Sequence, residues 1–376
     1  MLNVCIVAGA RPNFIKVAPI VRSINKAHEE GKQICYELVY AGIEDDITLE
    51  SSLFDDLQIE RPSVYLGVSC TNLNELTGQV MSAFEQYLQS HRVDVVIVVD
   101  DLASTMAAAI VAKKQGLTLA HLVAGTRSFD INMPKEINRL VIDGLSDLLF
   151  TAGMSSNSTA TREGAEQSKI FMVGNILMDT LRYNYSRLQR PAIFDELSLH
   201  DKGYIVFTLN RKLLIADRDN LRLMLNSMID NAAGMPIIAP LRSLAREAVK
   251  DVLGSRMGSL VIVDPLSYLE FGYLTAHARG IVTDSGNVAE EATFNCVPCI
   301  TLNSYTEHIE TVKVGSNVLV GENAQLLGDA ICDMVNGHWK ECALPERWDG
   351  RTAERIVQIL LERRHLVESN ERGDII

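Results

Sequence analysis

Val95-Val96-Ile97-Val98-Val99 is a run of five β-branched apolar residues with no polar alternation. A strand with one face in water alternates with period two, so this run fits a strand covered on both faces. Comparable apolar stretches predict strands at Asn3–Ala8, Cys35–Tyr40, Val93–Val99, Thr118–Val123 and Asp147–Thr151. Helical periodicity fills the gaps over Phe14–His28, Leu73–Ser90, Ser104–Gln115, Pro134–Leu145 and Ser155–Glu163. Strands and helices in this alternation build an α/β fold on a parallel sheet.

The rhythm breaks between about Asn184 and Lys202, a polar stretch with Pro191 that ends at Gly203. It restarts with strands expected at Tyr204–Thr208, Pro236–Ala239, Leu260–Val263, Gly280–Thr283 and Pro298–Thr301. A chain of 376 residues exceeds what one compact core holds. The expectation is two doubly wound Rossmann-like domains facing a central cleft, at 1–185 and 203–350. A last segment, 351–376, carries a helix over Thr352–Arg364 that could pack back on the first domain, and a tail, Glu368–Ile376, expected to fray.

Bulk properties exclude some function classes. A net charge of −13 argues against a nucleic-acid binder, though one pocket for a small phosphorylated ligand needs only a few cations. No apolar run reaches the length of a membrane span. Met1–Gly9 lacks a basic start and reads as a first strand rather than a signal peptide. Seven scattered cysteines fit a reducing cytoplasm. Cys296-Val297-Pro298-Cys299 has redox-motif spacing but no second pair or histidine cluster near it, and reads as two small core residues. Neither GxGxxG nor GxxxxGK[ST] is present.

The chemistry-bearing residues gather at expected strand ends. Thr283-Asp284-Ser285-Gly286 turns from a strand into a helix, which suits an anion; Glu291, further along that helix, can receive sugar hydroxyls. The alternative is a plain strand–helix junction with Ser285 as N-cap. Arg11 and Lys16 follow the first strand in Gly9-Ala10-Arg11-Pro12-Asn13-Phe14-Ile15-Lys16. Asp100-Asp101 follows Val95–Val99, and Asp101 could be an acid, a base or an N-cap. Arg139 lies one turn into the helix that begins at Pro134, and Phe271 is either a base-stacking ring or core.

Taken in order, GARPNFIKVAP, SFDINMPKEINR, TDSGNVAEEA and TEHIETVKVG resemble the non-hydrolysing UDP-N-acetylglucosamine 2-epimerase family, of the two-domain GT-B type. That resemblance implies C2 epimerisation by anti elimination and re-addition of UDP, with UDP-sugar or UDP as ligand. It implies no cofactor and no metal, and a cytoplasmic homodimer in polysaccharide precursor synthesis. It places Arg11 on the phosphates, Lys16 on the sugar side, Asp101 as catalytic aspartate, Ser285 and Gly286 at the phosphate turn, Glu291 on the ribose and Phe271 beside the uracil. Arg139 and Asn210 fall at nucleotide-side positions. The departures lie where the proton moves: Val123 and Lys135 stand where the family has glutamates, and Asn210 where it has a histidine. Glu136 is the neighbouring carboxylate that could substitute. The retained positions fit an active UDP-sugar 2-epimerase. The replaced ones fit a nucleotide-sugar-binding pseudoenzyme or partner subunit, or a repurposed hydrolase or transferase with Asp101 as base.

Overall fold

The computed structural model describes residues 1–363. They divide into two compact units: residues 1–183 together with the chain from Glu346 onward, and Asn184–Pro345.

The first unit holds seven strands: β1 (Leu2–Ala8), β2 (Ile34–Tyr40), β3 (Val64–Tyr65), β4 (Val95–Val99), β5 (Thr118–Ala124), β6 (Leu148–Thr151) and β7 (Ile170–Met172). They form one sheet in the order β3-β2-β1-β4-β5-β6-β7, every pairing parallel. All five residues of β4 are buried, as an unalternating run requires. One face of β1 and β4 packs Cys5, Val7, Val96 and Val98 against Phe84, Tyr87, Ala108 and Ala112 of the Leu73–Ser90 and Ala103–Lys114 helices.

The second unit holds β8 (Ile205–Phe207), β9 (Ile237–Pro240), β10 (Leu260–Val263), β11 (Gly280–Thr283), β12 (Cys299–Thr301) and β13 (Asn317–Leu319). Their order is β10-β9-β8-β11-β12-β13, again all parallel. In each sheet the strand order reverses direction once, between β1 and β4 and between β8 and β11. Open α/β sheets bind ligands outside the carboxyl ends of the strands at such a point.

Three strands escape the periodicity reading: β3, β7 and β13, which have two, three and three residues. The stretch read as a linker folds with the second unit. Its Ala192–Glu196 helix buries Phe194 edge-on against Tyr204 and Tyr273, with both centroid separations 5.6 Å. The chain re-enters the first unit earlier than the expected 351. Trp348 is buried there and its indole donates to Ala152 O at 3.2 Å. The Thr352–Glu362 helix follows, its first amides donated to the Asp179 carboxylate at 2.7 and 3.0 Å, and it packs on the Arg11–Glu29 helix. The tail expectation for Glu368–Ile376 lies outside the described residues. No helix among the described residues is long and apolar enough to cross a membrane.

Candidate functional site

At the tip of β1 the chain turns on Gly9, where an added Cβ would sit 2.0 Å from Ser104 Oγ. Asn13 closes the turn: its side-chain oxygen accepts from the Gly9 and Ala10 amides at 2.9 and 3.3 Å. The Asn13 amide nitrogen then donates to Asp100 Oδ2 across the strand reversal at 2.9 Å. Lys16, 6% exposed, reaches the other Asp100 oxygen at 2.5 Å. Asp100 adopts φ +58°, in the left-handed region that Asp tolerates better than most residues. Arg11 lies at the rim and pairs with Glu50 at 3.3 Å.

Asp101 faces the Pro134–Leu145 helix. Arg139 donates to its Oδ2 from Nε at 2.9 Å and from Nη2 at 2.5 Å, and Lys135 Nζ lies 3.4 Å from Oδ1. Asn138 donates to the Asp101 carbonyl at 2.8 Å. Burial works to raise the Asp101 carboxyl, but the charges of Lys135 and Arg139 outweigh it and hold it below its usual range. Asp101 is therefore a clamped carboxylate and does not cap the following helix, whose N-cap is Leu102.

Glu136 has a different job from its neighbours. Its carboxylate accepts from the Ser128 amide and hydroxyl and from the Phe129 amide, each at 2.9 Å, and from Arg139 Nη1 at 3.1 Å. Burial would raise this carboxyl as well, but those donors outweigh it and lower it. The group offered by the sequence as a substitute proton carrier is thus the anchor of the 126–133 loop. Arg139, expected on the nucleotide side, is buried and engaged by two carboxylates of its own unit.

Val123 carries backbone strain. It has φ +74°, and the β5–β6 register shifts between Leu122 and Ala124, so a bulge sits at this residue. A β-branched residue in this region is disfavoured by contact of its Cβ with the backbone. A layer behind the strand holds the bulge. His121 Nδ1 contacts Asp143 Oδ1 at 2.5 Å and Nε2 contacts the Asp100 carbonyl at 2.8 Å. The second Asp143 oxygen accepts from the Gly125 amide at 3.0 Å and pairs with Arg127 at 2.7 Å. Val123→Gly should remove the steric cost without disturbing this layer. The expected result is a gain of about 1 kcal/mol in chemical denaturation; a loss of stability would show that the Val123 side chain is needed where it stands.

In the second unit the β8–β11 reversal is built around Asp284. Its Oδ2 accepts from the Asn210 and Arg211 amides at 2.7 and 2.5 Å. Its Oδ1 is buried with no hydrogen-bond partner, and burial pushes the carboxyl up against the pull of those amides. Ser285 is the N-cap of the Gly286–Phe294 helix but makes no side-chain cap bond, so the first turn is left uncapped. Glu291, 7% exposed, is pushed up to about 8 by burial and by adjacent Glu290. Glu290 pairs with His308 at 3.2 Å. Phe271 is half-buried against the core of this unit, and Asn210 is exposed at the β8 tip.

The sequence reading gave no role of their own to Asn13, Asn138, Asp143 and Asp284. Each is a polar residue at a strand end or on a helix, with no local pattern that marks its distant partner.

The model of the UDP-N-acetylglucosamine 2-epimerase family matches residues 26–361. The chain belongs to this family. It is 33% identical to the UDP-N-acetylglucosamine 2-epimerase of Methanocaldococcus jannaschii, over 96% of this chain and 99% of the relative. It is 32% identical to the UDP-2,3-diacetamido-2,3-dideoxy-D-glucuronate 2-epimerase of Pseudomonas aeruginosa, over 85% and 88%. The crystal structure of the M. jannaschii enzyme in complex with UDP-GlcNAc and UDP matches with a TM-score of 0.82 at 32% identity, covering 96% of this chain and 100% of that one. S. aureus MnaA bound to UDP matches with a TM-score of 0.86 at 26% identity, covering 97% of each. The two-sheet α/β architecture is that of these UDP-GlcNAc 2-epimerase family members. Within this epimerase family, the segment after β2 reads Gly42-Ile43-Glu44 here. Beside it, Tyr40, Asp45, Asp46 and Ser69 line a cavity of about 380 Å³ with no basic residue in its wall.

Proposed function

We propose that this epimerase-family protein binds a UDP-sugar and epimerises it at C2 by eliminating and re-adding UDP. The observation that carries this reading is the second unit's β8–β11 reversal. An uncapped helix start at Ser285–Gly286 suits a diphosphate, and the buried Glu291 carboxyl suits a ribose diol. Phe271 would lie beside the uracil, Asn210 near the diphosphate, and Arg11 would exchange its rim contact with Glu50 for phosphate. On the sugar side Asp101 and Lys16 remain, and Lys135 is the group beside Asp101 that can carry a proton in place of a glutamate. The protein is expected to act as a homodimer, which analytical ultracentrifugation reads directly.

A second reading, binding without turnover, is favoured by one observation. Val123 cannot carry a proton, and Glu136, the carboxylate next to Lys135 in the sequence, is occupied by the 126–133 loop. Incubation with UDP-GlcNAc or UDP-ManNAc in D₂O separates the two. The epimerase reading predicts deuterium at C2 and interconversion of the sugars by proton NMR. Measurable UDP binding with no exchange sinks it for those substrates. Restoring Val123→Glu, Lys135→Glu and Asn210→His together should then raise the exchange rate by about 10²–10⁴-fold, the usual worth of a positioned acid or base.

A further inference from the structure

The end of the Gly286–Phe294 helix opposite the nucleotide turn holds two cysteines that the proposed chemistry does not use. Cys296 and Cys342 are 46 residues apart but converge on one carbonyl. The Cys296 amide donates to Thr293 O at 3.2 Å, and the Cys342 thiol donates to the same oxygen at 3.6 Å. The Cys296 thiol in turn lies 4.0 Å from the Cys342 carbonyl. Cys296 is exposed and Cys342 is half-buried. Cys299, the other half of the CxxC spacing, is fully buried on β12. The reading of Cys296 and Cys299 as two core residues therefore holds for Cys299 alone.

We propose that Cys296 and Cys342 form an oxidisable dithiol that closes to a disulfide when a small-molecule disulfide accepts its two electrons. The Cys296 sulfur, exposed, attacks the reagent and one small thiol leaves. The Cys342 sulfur then attacks the Cys296 sulfur of the mixed disulfide, and the second small thiol leaves. Two protein thiols become one S–S bond, and the reagent disulfide becomes two thiols that carry away the protons. Burial, then neighbouring Cys296, pushes the Cys342 thiol up to about 12, against the pull of Lys340, so its attack is the slower of the two steps.

The bond would tie the segment leading out of the second unit, Lys340–Pro345, to the helix whose other end is the Ser285–Gly286 turn. Closing a long loop restricts the unfolded chain, so the oxidised protein should melt several degrees higher than the reduced one.

The test is treatment of the full-length protein with oxidised glutathione, followed by trypsin without reductant and mass spectrometry. Residues 280–313 carry Cys296 and Cys299 on one tryptic peptide, and 341–347 carry Cys342 on another. The expected product is these two peptides joined. The link should vanish in Cys296→Ser and in Cys342→Ser and persist in Cys299→Ser, with the melting shift following the link. A Cys296–Cys299 bond, a link that survives Cys296→Ser, or glutathione adducts with no joined peptide would overturn the proposal. Because all three variants can be melted in the reduced state, a folding defect is read separately from a missing bond. UDP affinity does not enter the assay, so its result is independent of the epimerase reading.

Discussion

Arg139→Met should destabilise the protein by about 3–5 kcal/mol at neutral pH, the usual cost of breaking a buried ion pair by removing one partner. Arg139 is 4% exposed and is the guanidinium shared by Asp101 and Glu136. Met fills much of the volume but leaves both carboxylates buried without that charge. Lys135 still faces Asp101, whereas Glu136 keeps only its three contacts from Ser128 and Phe129. The pH dependence has a definite sign. Asp101 and Glu136 are held below their ordinary values of 3.8 and 4.5. Their contribution is therefore present above those values and is lost as pH falls below them. In the Met variant both carboxyls rise, so the gap between variant and wild type should narrow on acidification toward pH 4. Urea melts of the two proteins at pH 7.5 and pH 4.5 measure it. A gap that stays constant across that range would mean that the guanidinium contributes packing rather than charge.

Glu291→Gln should act in the opposite direction on stability. Burial, then adjacent Glu290, raises the Glu291 carboxyl from 4.5 to about 8. The folded protein thus holds a proton that the unfolded chain releases between these two values, and stability falls as pH rises through that window. The full span is worth up to about 5 kcal/mol. A neutral Gln removes this dependence. The variant should match wild type near pH 4.5 and exceed it by several kcal/mol at pH 8, read from melts across the range. On the proposed function the same carboxylate receives the ribose hydroxyls. UDP affinity measured by calorimetry should then drop about 10–100-fold in the Gln variant at pH 8, as expected for losing a hydrogen bond to a charged acceptor. A stabilised variant with unchanged UDP affinity would separate Glu291 from the nucleotide. The two measurements together describe a residue kept at a cost to the fold, as expected at a binding site.

Much of the architecture was legible because its signals are local. Val95–Val99 announces a doubly covered strand within five residues, and the Leu73–Ser90 and Pro134–Leu145 helices match their periodicities at both ends. β3, β7 and β13, of two or three residues each, were not read as strands. The 184–202 stretch misled for a related reason. Its Ala192–Glu196 helix has five residues, of which only Phe194 is buried, too few to show a helical period.

The candidate site divides in the same way. The sequence by itself determined that the chain builds parallel α/β units, that acidic and basic residues collect at strand ends, and that Val123, Lys135 and Asn210 depart from the family. Only the tertiary structure decided what each group is bound to. Glu136 anchors a loop, Asp100 takes Lys16, Asp101 takes Arg139 and Lys135, and the Cys296 thiol lies against the Cys342 carbonyl. The physical reason is range. Strand and helix periods of 2 and 3.6 residues are written in neighbouring side chains. The contacts between Lys16 and Asp100 and between Asp101 and Arg139 span 84 and 38 residues. Contacts of that span exist only after the sheets have formed and brought their strand ends together.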